Sequence, residues 1–136
     1  MEQINIFSFF SGAGFLDLGF EMVPPFKVVY VNEFHKPFND VYRYARQKMG
    51  IEEPQFGHHI GDITQLLNPN ELRSLKELVN ASKTTHLTGF IGGPPCPDFS
   101  VAGKNRGREG DNVKLSGTDT EIICKTKPDF FLFENV

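Results

Sequence analysis

The chain has 136 residues, 39% of them hydrophobic and 23% charged, with a net charge of −3. That allows one domain with a modest core, and the slight acidity excludes an overall basic surface, so any nucleic-acid contact must be local. No apolar run approaches the ~18 residues of a membrane span, and two distant cysteines, Cys96 and Cys124, with no signal peptide fit a reduced cytoplasmic protein without disulfides.

Ile4 to Phe9 has strand character and runs into a tight turn, Phe10-Ser11-Gly12-Ala13-Gly14-Phe15, followed by a short helix over Leu16 to Met22. A strand, a Gly-x-Gly turn and a helix open a nucleotide- or cofactor-binding α/β sheet, although a plain structural turn reads as well from these residues alone. Lys27 to Val31 is the second strand, and it delivers Glu33 about 20 residues after the glycines, the place for a carboxylate that takes ribose hydroxyls. A solvated loop carboxylate is the alternative for Glu33. Phe34 beside it can stack on an adenine face. Pro37 to Met49 reads as a helix with Phe38, Val41, Tyr42, Ala45 and Met49 facing the core and Arg43, Arg46 and Lys48 in solvent. His58 and His59 lack a third ligand at metal spacing. Gly61 to Thr64 reads as a short third strand and its exit, where Asp62 either meets an adenine amino group or caps a loop.

Asn68-Pro69-Asn70-Glu71 opens a helix with Leu72, Leu75, Leu78 and Val79 on its apolar face. Leu87 to Ile91 is a buried strand that stops at Gly92-Gly93-Pro94-Pro95, so Cys96 sits on a stiff loop at the C-terminal edge of the sheet. A buried structural thiol is the bland alternative, but a turn position favours a reactive one. Residues 101–111 read as a glycine-rich, locally basic loop in which Lys104, Arg106 and Arg108 suit phosphate contact or simple solvation. Thr118-Asp119-Thr120-Glu121 reads as a capping box before a helix in which Cys124 packs. Pro128 ends that helix, and Phe130 to Phe133 forms a last strand that brings Glu134 to the same edge as Cys96. Five strands alternating with helices predict an α/β fold with a Rossmann-like, doubly wound, mostly parallel sheet.

In order and spacing, Phe10-Ser11-Gly12-Ala13-Gly14, Asn32-Glu33-Phe34, Gly61-Asp62-Ile63, Pro95-Cys96 with Phe99-Ser100, and Glu134-Asn135-Val136 resemble the motifs of the cytosine-C5 DNA methyltransferases. The resemblance covers essentially the whole chain. It implies the class I S-adenosylmethionine-dependent methyltransferase fold, incomplete at the C-terminus, with residues 1–136 as the N-terminal part of the catalytic domain. Cys96 is then the nucleophile that adds to C6 of cytosine, and Glu134 the acid that assists at N3. Ser100, Lys104 and Arg106 fall in the loop that closes over the flipped cytosine, where the two cations can lower the Cys96 pKa. Phe10, Ser11, Gly12, Ala13, Gly14, Phe15, Glu33, Phe34, Asp62, Ile63 and Pro95 correspond to the S-adenosylmethionine pocket. The implied partner is double-stranded DNA in a bacterial restriction–modification system, within the nucleoid-containing cytoplasm.

The sequence departs from the family where Phe15 replaces a frequent glycine, Pro97 a frequent glutamine, and Asn112-Val113 a frequent Arg-Gly pair. Nothing resembles the family's Gln-x-Arg-x-Arg motif, its target-recognition domain or its late returning helix. The expectation is therefore a catalytic fragment, inactive alone, that a C-terminal chain complements. A tRNA cytosine-C5 methyltransferase and a non-catalytic S-adenosylmethionine-binding subunit of a split enzyme are the competing readings.

Overall fold

The computed structural model describes residues 2–95 and 111–134, with only the backbone of residues 111–116. The chain runs β1 (Ile4–Phe9), α1 (Phe15–Glu21), β2 (Phe26–Glu33), α2 (Lys36–Met49), β3 (His58–Ile60), a short 3-10 helix (Ile63–Leu67), α3 (Pro69–Lys83), β4 (Leu87–Gly92), α4 (Asp111–Thr126) and β5 (Phe130–Phe133). The strands form a single sheet of five in the order β3-β2-β1-β4-β5, and every neighbouring pair is parallel. This is the Rossmann-like α/β arrangement expected from the alternation of strands and helices.

The central strands are covered on both sides, which is why they read as continuous apolar runs rather than alternating ones. One face packs Phe7, Phe9, Val29, Tyr30 and Phe90 against Ile63, Leu66, Leu75, Val79 and Ile122. The other packs Ile6, Val28, Val31 and Ile91 against Tyr42, with Leu16 and Phe20 alongside. Among the described residues the fully buried phenylalanines, Phe7, Phe9 and Phe90, lie on the first face. There Phe7 stacks on Tyr30 and Phe90 at centroid separations of 5.2 and 5.5 Å, and Phe9 meets Phe90 at 4.8 Å.

Four local expectations need correction. The third strand is His58–Ile60, and Ile63 begins a 3-10 helix whose N-cap is Asp62, with Oδ1 accepting from Thr64 N. In α2 the buried residues are Asn39, Tyr42 and Arg46, whereas Phe38, Val41 and Met49 are each more than half exposed. Hydrophobic periodicity missed this face because its polar groups are satisfied internally: Asn39 Oδ1 pairs with His58 Nδ1 at 2.8 Å, and Tyr42 donates to Asp17. Helix α4 begins at Asp111, so Thr118 to Glu121 lie well inside it rather than at its start. Cys124 is exposed rather than packed.

Candidate active site

The chain leaves β1 outward to β2 and β3, then returns across the sheet to β4 on the other flank of β1. Ligand crevices form outside the strand ends at such a reversal. Here a cleft of about 450 Å³ lies there, lined by Phe10, Gly12, Glu33, Phe34, Phe38, Asp62, Ile63, Gly93 and Pro95. Its walls are the turn after β1, the tip of β2, the start of the 3-10 helix and the exit from β4.

The turn after β1 is made of unusual backbone. Phe10, Gly12 and Gly14 have φ of +52°, +56° and +87°, and a bulky residue such as Phe10 enters the left-handed region only at a cost in strain. Three hydrogen bonds hold the turn in place. Gly14 N donates to Ser11 O at 2.9 Å, Ser11 N to Asn32 O at 3.4 Å, and Gly12 N to Glu33 Oε2 at 2.6 Å. The second Glu33 oxygen accepts from His35 N at 3.0 Å, so this carboxylate is locked between the turn and the approach to α2. Ser11 Oγ is buried and has no hydrogen-bond partner among the described residues.

The two glycines of the turn differ in their surroundings. A Cβ on Gly12 would meet nothing within 4 Å, whereas one on Gly14 would collide with the Tyr42 ring and stand 2.6 Å from Arg46 Nη1. Gly14→Ala is therefore expected to destabilise the protein by about 3 kcal/mol, combining left-handed strain with overpacking. Gly12→Ala carries the strain alone and is expected to cost about 1 kcal/mol. Urea unfolding of both variants checks the difference, and equal costs would contradict the packing of Tyr42 against the turn.

Phe34 and Phe38 leave 70% and 51% of their surface exposed at the cleft, ring area that a flat ligand can cover. Helical periodicity places Phe38 on the core face; its ring instead meets His35 edge-on at 4.6 Å on the first turn of α2. Asp62 lines the cleft while its Oδ1 accepts from Thr64 N and Oγ1. Among the other residues expected around the cofactor, Ser11, Ala13, Gly14 and Phe15 do not line the cleft, and Phe15 is 83% exposed.

On the β4 side, Glu134 N donates to Gly92 O at 2.9 Å and extends the ladder one step past β5. Glu134 Oε2 lies 3.2 Å from where a Cβ on Gly93 would stand, so the carboxylate rests against a residue of the cleft wall. Beneath it is a group that the sequence did not single out. Asp119 is fully buried, its Oδ2 lies 3.6 Å from a Cβ position on Gly92, and neither carboxylate oxygen has a hydrogen-bond partner among the described residues. Burial pushes its pKa up to about 7. Pro95 closes the described wall of the cleft; Cys96, Ser100, Lys104 and Arg106 lie outside the described residues.

Residues 4–136 match the family model for C-5 cytosine-specific DNA methylases. The chain is 52% identical to the Type II methyltransferase M.NmeDI of Neisseria meningitidis serogroup C, an alignment that takes in 99% of this chain and 32% of that protein. It is 34% identical to the Type II methyltransferase M.FnuDI of Fusobacterium nucleatum, over 98% of this chain and 32% of the relative. To the DNA (cytosine-5-)-methyltransferase M.ApeKI of Aeropyrum pernix it is 33% identical, over its full length and 29% of the relative. The chain thus spans about a third of the length of these curated relatives. With an all-parallel sheet, a cleft at its point of reversal and a match over residues 4–136, the chain belongs to the C-5 cytosine-specific DNA methylase family.

Proposed function

We propose that this chain carries the cofactor site and the nucleophile of an enzyme that transfers a methyl group from S-adenosylmethionine to C5 of cytosine in DNA. The observation that carries the reading is the cleft at the tips of β1, β2 and β4, which gathers Phe10, Gly12, Glu33, Phe34, Asp62, Ile63 and Pro95 from four separate stretches of sequence. The residues fit the group: a fixed, largely buried carboxylate at the end of β2, an open side above Gly12, and exposed aromatic rings. Glu33 would hold the ribose hydroxyls, Phe34 would cover a face of the adenine, and Asp62 and Ile63 would border its edge. Bound there, S-adenosylmethionine supplies an electrophilic methyl group.

Pro95 lines the same cleft and Cys96 follows it in sequence, which supports the reading of Cys96 as the nucleophile. Glu134 rests against Gly93 on that wall, within the neighbourhood where an extruded cytosine would enter. The natural substrate is double-stranded DNA, read by a target-recognition part outside these 136 residues, in a bacterial restriction–modification pair that acts in the cytoplasm. That the chain spans about a third of its relatives' length supports a complementing segment or chain that would supply that part, and the 136-residue chain alone is expected to turn over poorly.

The test is calorimetric titration of S-adenosylhomocysteine into the chain and into Glu33→Gln. The glutamine keeps one acceptor oxygen but loses the charge and one of the bonds from Gly12 N and His35 N, so affinity should fall about 10- to 100-fold while the unfolding midpoint drops only slightly. Binding that ignores this substitution, or an unmodified chain that binds no cofactor, would remove the basis of the proposal.

A further inference from the structure

We propose that Arg46 is a positioning residue for the cofactor-binding turn, fixing its far end from α2 while Glu33 fixes its near end. This rests on the cofactor reading of the cleft above. Arg46 is almost wholly buried, yet it lies on the helix that flanks the cleft rather than in the cleft. Its Nη2 donates to Gly14 O at 2.7 Å and to Glu21 Oε2 at 3.0 Å, and its Nε reaches the same Glu21 oxygen at 3.2 Å. The guanidinium sits 3.8 Å above the Tyr42 ring, and Tyr42 in turn donates to the buried carboxylate of Asp17 at 2.7 Å. Asp17 also accepts from Ser8 Oγ of β1 at 2.7 Å. Strand β1, the turn, α1 and α2 are thereby joined through one buried polar cluster.

The position of this cluster is what gives it a role beyond holding the fold. The turn presents one N–H, that of Gly12, to Glu33, and one carbonyl, that of Gly14, to Arg46. Gly14 is the N-cap of α1, is left-handed, and makes no side-chain capping bond, so its conformation depends on what lies behind it. Helix α1 is too short to impose order by itself, at seven residues. A buried ion pair is poor evidence for stability, since apolar side chains of the same size often replace one without loss. Gly14 O also accepts from Leu18 N at 2.9 Å, within α1; what apolar side chains cannot replace is its second donor, the one that ties the turn to α2. Without it the turn can shift relative to Glu33, and small displacements at a binding site have large consequences.

The experiment compares three forms of the chain: unmodified, Arg46→Lys, and the double variant Glu21→Met with Arg46→Met, which leaves no unpaired buried charge from this ion pair. The readouts are amide exchange at Gly12 and Gly14 without ligand, the dissociation constant for S-adenosylhomocysteine, and the unfolding midpoint. In the double variant the turn amides should exchange at least about 10-fold faster and the dissociation constant rise about 10-fold, with exchange in β1 and β4 unchanged. Arg46→Lys keeps one donor for Gly14 O and should recover part of both effects. Unaltered turn exchange in the double variant, or weakened binding that Arg46→Lys does not recover, overturns the proposal. Should the double variant fail to fold, Arg46→Lys against the unmodified chain carries the decision, because the loss of its fork should loosen the turn measurably. If the unmodified chain binds no cofactor, the reading of the cleft fails, while turn exchange still decides whether Arg46 holds the turn.

Discussion

Cys96→Ala is expected to lower methyl transfer by on the order of 10⁴-fold or more, while cofactor binding stays intact. The size of the effect follows from the substrate. C5 of cytosine is too poor a nucleophile to take a methyl group until a thiolate adds to C6 and breaks the aromaticity of the ring. Proton donation or hydrogen bonding at N3, the role proposed for Glu134, offsets the charge that builds up as the new C–S bond forms. C5 would then take the methyl group of S-adenosylmethionine, whose S–CH3 bond breaks to leave S-adenosylhomocysteine, and loss of the C5 proton with departure of the thiolate would restore the ring. Without sulfur no part of this sequence can begin. The assay uses the chain together with whatever segment or subunit completes the family's length, and 5-fluorocytosine in place of the target base, since its fluorine cannot leave as a proton does. A covalent protein–DNA adduct should form with Cys96 and vanish with alanine. Adduct formation that survives in Cys96→Ala would exclude this thiol as the nucleophile. Cofactor binding with no adduct in the completed assembly would point instead to a non-catalytic subunit, and preferential capture on tRNA would change the substrate.

Most of the sheet could be read from the sequence because parallel strands buried on both faces leave an unmistakable trace. Leu87 to Ile91 is such a run, and β4 spans Leu87–Gly92. The cleft was legible for a different reason: its residues are set by short local devices, a glycine turn at Gly12 to Gly14, a carboxylate at Glu33 and a diproline at Pro94-Pro95, whose spacing survives without knowledge of packing. What could not be read was the placement of polar groups. Arg46 looks like a solvated charge on a helix whose apolar residues lie elsewhere, and only the folded chain supplies Glu21 and the Gly14 carbonyl to receive it. Periodicity assigns burial by hydropathy, so it put Phe38 inside and Arg46 outside, and both assignments reverse in three dimensions. The same blindness puts Asp119 inside a capping box at a helix start. A Thr-x-x-Glu pattern marks a helix start only if the preceding residues are not helical, and here α4 is already under way from Asp111.

Asp119→Asn is expected to stabilise the protein at pH 8 by up to about 4 kcal/mol and to change little below about pH 4. The carboxylate has no hydrogen-bond partner among the described residues, and burial raises its pKa from 3.8 to about 7. A folded-state pKa above the unfolded one means that the native protein holds the proton more tightly. The resulting stability is complete below about pH 4 and is lost as the pH climbs through about 7, where the native state must either ionise a buried acid or open. Asparagine has no proton to lose, so the loss should disappear. His58 works in the opposite sense: burial lowers its pKa from 6.5 to about 4, so the unfolded chain takes up the proton first and stability falls as the pH drops from 6.5 towards 4. Between about pH 4 and 6.5 the two contributions run in opposite directions and largely offset each other in the unmodified chain. His58 is common to both proteins, so its contribution cancels in the difference between their urea-unfolding free energies. That difference should be flat below about pH 4 and rise steadily towards pH 7; a difference that stays level from pH 5 to pH 8 would mean that Asp119 is solvated or paired.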